Sequence, residues 1–161
     1  MIWAFTGHRP EKLPWGTDET DPRCAALKIM LARTVQRLAQ DGADTFLCGM
    51  ARGCDFYFAQ AVLDTDGGRG VLHLEAWLPC QSQDRSWPWT DRRRKEMLLA
   101  QCSRVRMVEK DYTPGCMLRR NRAMVSGADG LISVWDGSPG GTEATVRFAR
   151  QLGRPIERLW L

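Results

Sequence analysis

Short apolar runs that alternate with longer stretches of helical period constrain this chain more than any other feature. Residues 1–5 form a brief apolar run that stops at Thr6-Gly7, as a buried strand does. Residues 9–21 are rich in proline, glycine and acidic side chains and read as a loop. Asp21-Pro22 then supplies an N-cap and a first-turn proline for a helix. Leu27, Met30, Leu31, Thr34, Val35 and Leu38 recur at helical spacing up to Asp41-Gly42. Strands are expected over 45–48, 71–78, 105–108 and 130–135, with a last one over 155–159. Helices are expected over 55–63, 91–102, 117–128 and 142–152. Five or six βα units in series imply a parallel sheet covered on both faces. The expected fold is α/β: a single Rossmann-like, doubly wound domain over residues 1–161, mostly parallel in its sheet, with helices on both faces.

Composition agrees and narrows the function classes. A hydrophobic fraction of 43% and a charged fraction of 26% exclude disorder, and 161 residues suit one core. A net charge of +4 is too mild to declare a nucleic-acid binder. Only Lys12, Lys28, Lys95 and Lys110 are lysines; the other basic residues are arginines, the better forks for phosphate and carboxylate. No apolar stretch approaches the ~18 residues of a membrane span, and the N-terminus lacks a basic leader region. A cytoplasmic protein without membrane contact is expected. The six cysteines form no CxxC pair and only His8 and His73 could assist, so neither a metal nor a required cofactor is expected.

In a doubly wound sheet, ligands bind beyond the carboxyl ends of the strands. The turns there carry the candidates. The first is Thr6-Gly7-His8-Arg9-Pro10, where glycine admits close backbone approach and Thr6, His8 and Arg9 offer donors to an anion; an ordinary turn with a solvated Arg9 is the alternative. The second runs from Cys48 to Asp55, where Gly49 and Gly53 bracket a tight turn that could present an anion nest, with Arg52 beside it. Asp55 would cap the helix or accept from a ribose hydroxyl. The third turn carries Gln83 and Trp87, an amide and an indole that suit a purine base, unless the indole simply packs on its loop. Asn121 stands near the start of the fourth helix; Arg119 and Arg120 on that helix read as solvated or salt-bridged. The fifth turn, Asp136 to Glu143, is the most informative. Gly140, Gly141 and Thr142 at a helix start expose N–H groups and a hydroxyl where the helix dipole is positive, and phosphate is the natural guest. No P-loop, GxGxxG, GxSxG or HExxH pattern is present.

These segments, in this order, together with Asn121-Arg122-Ala123-Met124-Val125 and Ala128-Asp129-Gly130, resemble the SLOG superfamily of the DprA/Smf DNA-processing proteins and the LOG phosphoribohydrolases. The similarity spans nearly the whole chain and is greatest to the YpsA-like subgroup, which opens with a TGxRP-type turn. The resemblance implies a Rossmann-like fold that binds or senses a nucleotide-derived ligand, such as ADP-ribose or an NAD derivative, at the carboxyl edge of the sheet. It implies Thr6, Gly7, His8 and Arg9, then Gly49, Arg52, Gly53 and Asp55, then Gly140, Gly141 and Thr142 as ligand residues. A small-molecule nucleotide is the expected partner, a homodimer is compatible with the resemblance, and nucleic acid is not favoured. Two alternatives stand beside this reading: LOG-like N-glycosidic hydrolysis and DprA-like single-stranded DNA binding. The LOG pattern PGGxGTxxE is not intact, because Pro139-Gly140-Gly141 runs directly into Thr142 and Thr145 stands where the glutamate would be. Glu143 is the acid/base candidate nearby, but it points about 200° away from position 145 around the helix at ~100° per residue. Asp55 and Glu75 are the other carboxylates available for such chemistry.

Overall fold

The computed structural model describes all residues, Met1–Leu161. The order is β1 (Ile2–Gly7), a 3₁₀ turn (Pro10–Lys12), α1 (Pro22–Gln40), β2 (Thr45–Cys48), α2 (Cys54–Asp66) and β3 (His73–Leu78). There follow α3 (Trp89–Leu99), β4 (Arg104–Met107), α4 (Cys116–Ser126), β5 (Gly130–Val134), α5 (Gly141–Gln151) and β6 (Ile156–Leu159). All six strands are parallel, in the order β4-β3-β2-β1-β5-β6.

Strand pairing and helix caps explain the boundaries. β1 extends to Gly7, beyond its apolar run, because the register with β5 continues through Gly7 and Val134. α1 starts where the sequence predicts: the Asp21 side chain accepts from the Arg23 N–H, with Pro22 in the first turn. α2 outruns its predicted end through Asp64, Thr65 and Asp66, residues of poor helix propensity, and stops at Gly67 in the left-handed conformation. The Asp66 carboxylate then accepts from the N–H groups of Gly70, Val71 and Leu72, each at 2.8 Å. That clamp holds residues 70–72 out of the sheet, so β3 begins only at His73. α3 begins and ends earlier than expected, at Trp89 and Leu99.

The sheet separates two apolar layers. Trp3 and Phe5 of β1 point toward α1 and α2, where Leu27, Leu31, Val35, Phe56 and Phe58 are buried. Phe5 and Phe58 stack with ring centres 4.3 Å apart. Ala4 points the other way, into a smaller layer with Met124, Val125, Val146 and Ala149 of α4 and α5. β4 is an edge strand with all four residues exposed, and its arginines discourage further strand pairing. The six cysteines are unpaired thiols. No helix is long and apolar enough to cross a membrane.

Strand order fixes where a crevice must open. From β1 the chain builds outward through β2, β3 and β4, then returns to place β5 on the other side of β1. The turns after β1 and β5 therefore diverge toward opposite faces, a topological switch point.

Candidate functional site

A cavity of about 340 Å³ lies at that switch point. Its walls come from three of the predicted turns. Thr6 and Gly7 end β1 and His8 and Arg9 follow it, while Gly140 caps α5 and Gly141 and Thr142 open it. Asp55 and Asn121 complete the predicted set that the fold brings together here. Arg120, Lys12, Glu11 and Ala51 also line it.

The α5 end carries free donors. No side chain caps this helix, whose cap residue is Gly140 at φ 145°. The Ala144 N–H is bonded back to the Gly140 carbonyl, so the amides of Gly141, Thr142 and Glu143 lack intrahelical acceptors. A Cβ on Gly141 would meet nothing within 4 Å, so the space beside this residue is open. Lys12 donates to the Pro139 carbonyl and drapes over Gly140. His8 Nε2 lies 2.9 Å from Asp136 Oδ1, which ties the first turn to the glycine loop. Arg9 is exposed and makes no ion pair or side-chain hydrogen bond.

Two amides of the second turn are bonded within the protein: Ala51 N–H donates to Asp55 Oδ2 at 2.9 Å, and Cys54 N–H donates to the His8 carbonyl at 3.2 Å. Asp55 does not cap α2, whose cap is Gly53; it holds the turn from inside the helix. Burial raises the Asp55 carboxyl above its ordinary range. Gly53, at φ 85°, packs against the His8 carbonyl and Pro10. Arg52 does not line this cavity but lines the adjoining one, with Nε 2.7 Å from Asp91 and Nη1 3.5 Å from Glu11.

Gly49 makes room for an arginine that the sequence reading placed in solvent. Arg120 is 2% exposed. Its Nη1 donates to the carbonyls of Gly49 at 2.6 Å and Trp77 at 3.0 Å, and its Nε to Asn121 Oδ1 at 2.9 Å. A Cβ on Gly49 would fall 2.6 Å from Arg120 Nη1. Burial pulls the Arg120 guanidinium below its ordinary range, with Asp55 opposing. The signal was present in the sequence: Cys116, Arg120 and Met124 share one stripe at i, i+4 spacing, and both flanking residues are buried. Arg119, by contrast, is salt-bridged to Glu109 at 3.0 Å, as expected.

Asn121 relays this anchoring to α5. Its Nδ2 donates to Thr145 Oγ1 at 3.1 Å, and Thr145 Oγ1 donates to the Gly141 carbonyl at 2.8 Å. Thr145, which replaces the LOG-type glutamate, thus braces the glycine loop. Glu143 is outside the cavity, paired with Arg147 at 3.0 Å. Gln83 and Trp87 line an adjoining cavity of about 250 Å³, which shares Arg9, Glu11 and Ala51 with the first. No group of three or more His, Cys, Asp or Glu side chains is placed to hold a metal ion.

Fold and cavity together define a Rossmann-like α/β domain whose three converging turns meet at the switch point of the sheet. The YspA SLOG family model matches residues 3–152, and the chain belongs to that family. Two solved structures share the fold. DNA processing protein A from Helicobacter pylori, described for its single-stranded DNA binding mode, is 22% identical with a TM-score of 0.66, covering 98% of this chain and 64% of that one. DNA processing protein A from Streptococcus pneumoniae is 15% identical with a TM-score of 0.65, covering 98% of this chain and 49% of that one. The chain spans less than two thirds of either. No curated protein matches it.

Proposed function

We propose that this protein binds a nucleotide or nucleotide-derived ligand, with a phosphate at the N-terminus of α5. One observation carries the reading: Gly141 and Thr142, at the uncapped start of α5, line a cavity at the switch point, beside the unpaired Arg9. A helix N-terminus concentrates donors and positive potential, and an arginine adds a charge-assisted fork. The mild net charge of +4 suits a small anion better than a long polyanion.

Thermal shift with millimolar AMP, ADP, ADP-ribose, NAD and cyclic or linear dinucleotides tests it. A ligand at a hundred times its Kd adds about 2.7 kcal/mol of apparent stability, a readily measured rise in Tm. No rise with any of them would contradict the proposal.

Hydrolysis of an N-glycosidic bond is weaker on chemical grounds. Of Glu143, Asp55 and Glu75, only Asp55 lines the cavity. The expected result in an assay of base release from nucleoside monophosphates is binding without turnover. The likeness to the Helicobacter pylori DNA processing protein A supports a second reading, single-stranded DNA binding. That reading requires oligonucleotide affinity that falls steeply with salt; absent or salt-independent binding removes it.

A further inference from the structure

Two buried side chains at the cavity beside α5 each keep one polar atom free. Asp55 is 6% exposed and His8 3%, and both line that cavity. Asp55 Oδ2 accepts from the Ala51 N–H at 2.9 Å, while Oδ1 has no partner in the protein. His8 Nε2 lies 2.9 Å from Asp136 Oδ1, while Nδ1 has no partner. The unbonded side-chain atoms that are sealed from solvent lie elsewhere, on Trp3, Gln83, Ser133, Ser138 and Arg158. Asp55 Oδ1 and His8 Nδ1 therefore keep accessible surface, and it opens into the cavity these residues line.

The bonds already made decide what His8 offers. Ionised Asp136 has only lone pairs, so the 2.9 Å contact requires the proton on His8 Nε2. The other tautomer, with the Asp136 N–H donating to Nε2 at 3.2 Å, would set two lone pairs against each other across the shorter contact. Neutral His8 thus presents a lone pair at Nδ1, an acceptor where the sequence suggests a donor to an anion. Asp55 Oδ1 is the second free position. A hydroxyl both gives and takes a hydrogen bond, so it can meet Asp55 in either protonation state. A fully ionised phosphate has no proton to give, and these atoms call for a different part of the ligand.

The rest of the lining narrows that part. Only Phe5 and Ala51 of the fourteen lining residues are apolar, and both are buried, so a heteroaromatic base finds little surface to stack on. Three cations, Arg9, Lys12 and Arg120, stand against two carboxylates, Asp55 and Glu11. Glu11 is mostly exposed and lies 3.5 Å from Arg52, so it sits at the mouth. An excess of cations with two inward-facing positions for hydroxyls suits a phosphorylated polyol.

We infer that this cavity holds the sugar phosphate of the nucleotide, with ribose hydroxyls on Asp55 Oδ1 and His8 Nδ1, and that the base lies outside it. The inference rests on the nucleotide reading above. An internal residue of a DNA strand has no free sugar hydroxyl and would leave both atoms unpaired.

Calorimetric titration of AMP, ribose 5-phosphate and 2′,3′-dideoxy-AMP into the wild-type chain, His8→Phe and Asp55→Ala tests this. The wild type should bind AMP at least about tenfold more tightly than the dideoxy nucleotide, the equivalent of one hydrogen bond. Ribose 5-phosphate should bind within about tenfold of AMP. The preference for AMP over the dideoxy nucleotide should shrink at least about threefold in each variant. His8→Phe keeps a flat ring, and Asp136 keeps its bond from the Ser138 N–H at 2.8 Å. Asp55→Ala leaves the Ala51 amide without its acceptor, so where that variant does not fold, the wild-type comparison and His8→Phe decide alone. Equal wild-type affinities for AMP and the dideoxy nucleotide overturn the inference and leave the nucleotide reading standing. A preference that survives undiminished in the folded variants removes His8 and Asp55 as its source. AMP binding without ribose 5-phosphate binding puts recognition on the base and overturns the inference as well. Failure of all three probes to bind overturns the nucleotide reading and this inference together.

Discussion

Placing a carboxylate at position 141 should separate binding from stability. Gly141 is the first residue of α5 and its conformation is not left-handed, so a side chain is tolerated there. The open space around its Cβ position removes any steric objection within the protein. A carboxylate in the first turn complements the helix dipole and adds about 0.3–1 kcal/mol of stability. The same carboxylate would stand about 5 Å from a phosphate held by the Gly141 and Thr142 amides. Two unit charges at that distance, at an effective dielectric of about 20, repel by about 3 kcal/mol. Gly141→Asp should therefore weaken AMP or ADP-ribose binding more than about a hundredfold, with Tm unchanged or slightly raised. Gly141→Asn carries the same shape without the charge, so the ratio of the two variants isolates electrostatics from bulk. Calorimetric titration gives the affinities and differential scanning calorimetry the Tm values. Equal affinities of the Asp and Asn variants would refute the reasoning, because the phosphate would then be elsewhere.

Arg9→Ala should weaken the same ligands by about 1.5–3 kcal/mol, the range for one hydrogen bond to a charged group, without lowering Tm, since Arg9 has no partner in the protein; calorimetry reads both. Gly49→Ala should destabilise the fold by about 1–3 kcal/mol in denaturant titration, because the new methyl meets an Arg120 guanidinium fixed by two carbonyls. The N–H groups of Leu72 and Gly70, then Val71, hold the Asp66 carboxyl below its ordinary range. A depressed carboxyl adds stability above its unfolded value of about 3.9 and loses it as pH falls through the folded value. Asp66→Asn should thus lower Tm at neutral pH, and the gap to wild type should close toward about pH 2; a gap constant from pH 7 to about pH 2 would sink the clamp argument.

Local signals that match the global fold were readable directly. Residues 45–48 appear as a strand at the expected bounds, and Asp21-Pro22 opens α1 as its side-chain chemistry requires. The two turns that diverge at the switch point were readable as well, because glycine and arginine after a strand mark positions where backbone is exposed. Residues 49–55 carry roles that were not legible, for a physical reason. Glycines there serve packing: Gly49 clears space for Arg120, which is 71 positions away, and Gly53 passes under the His8 carbonyl. No local pattern states which amides a distant carbonyl will take. Arg52 is a similar case, since Asp91 and Glu11 reach it only through tertiary folding. Arg120 was legible and was masked by its neighbours: three arginines at 119, 120 and 122 suggest a solvated face, although only Arg120 falls on the apolar stripe.

The central claim is that a phosphate binds at the N-terminus of α5. A crystal structure of the protein soaked with ADP-ribose tests it most directly. Phosphate oxygens should lie within about 2.7–3.2 Å of the Gly141 and Thr142 amide nitrogens, the normal range for N–H donors, with the Arg9 guanidinium turned toward them. Ordered ligand elsewhere on the molecule, with those amides bonded only to water, would contradict the account.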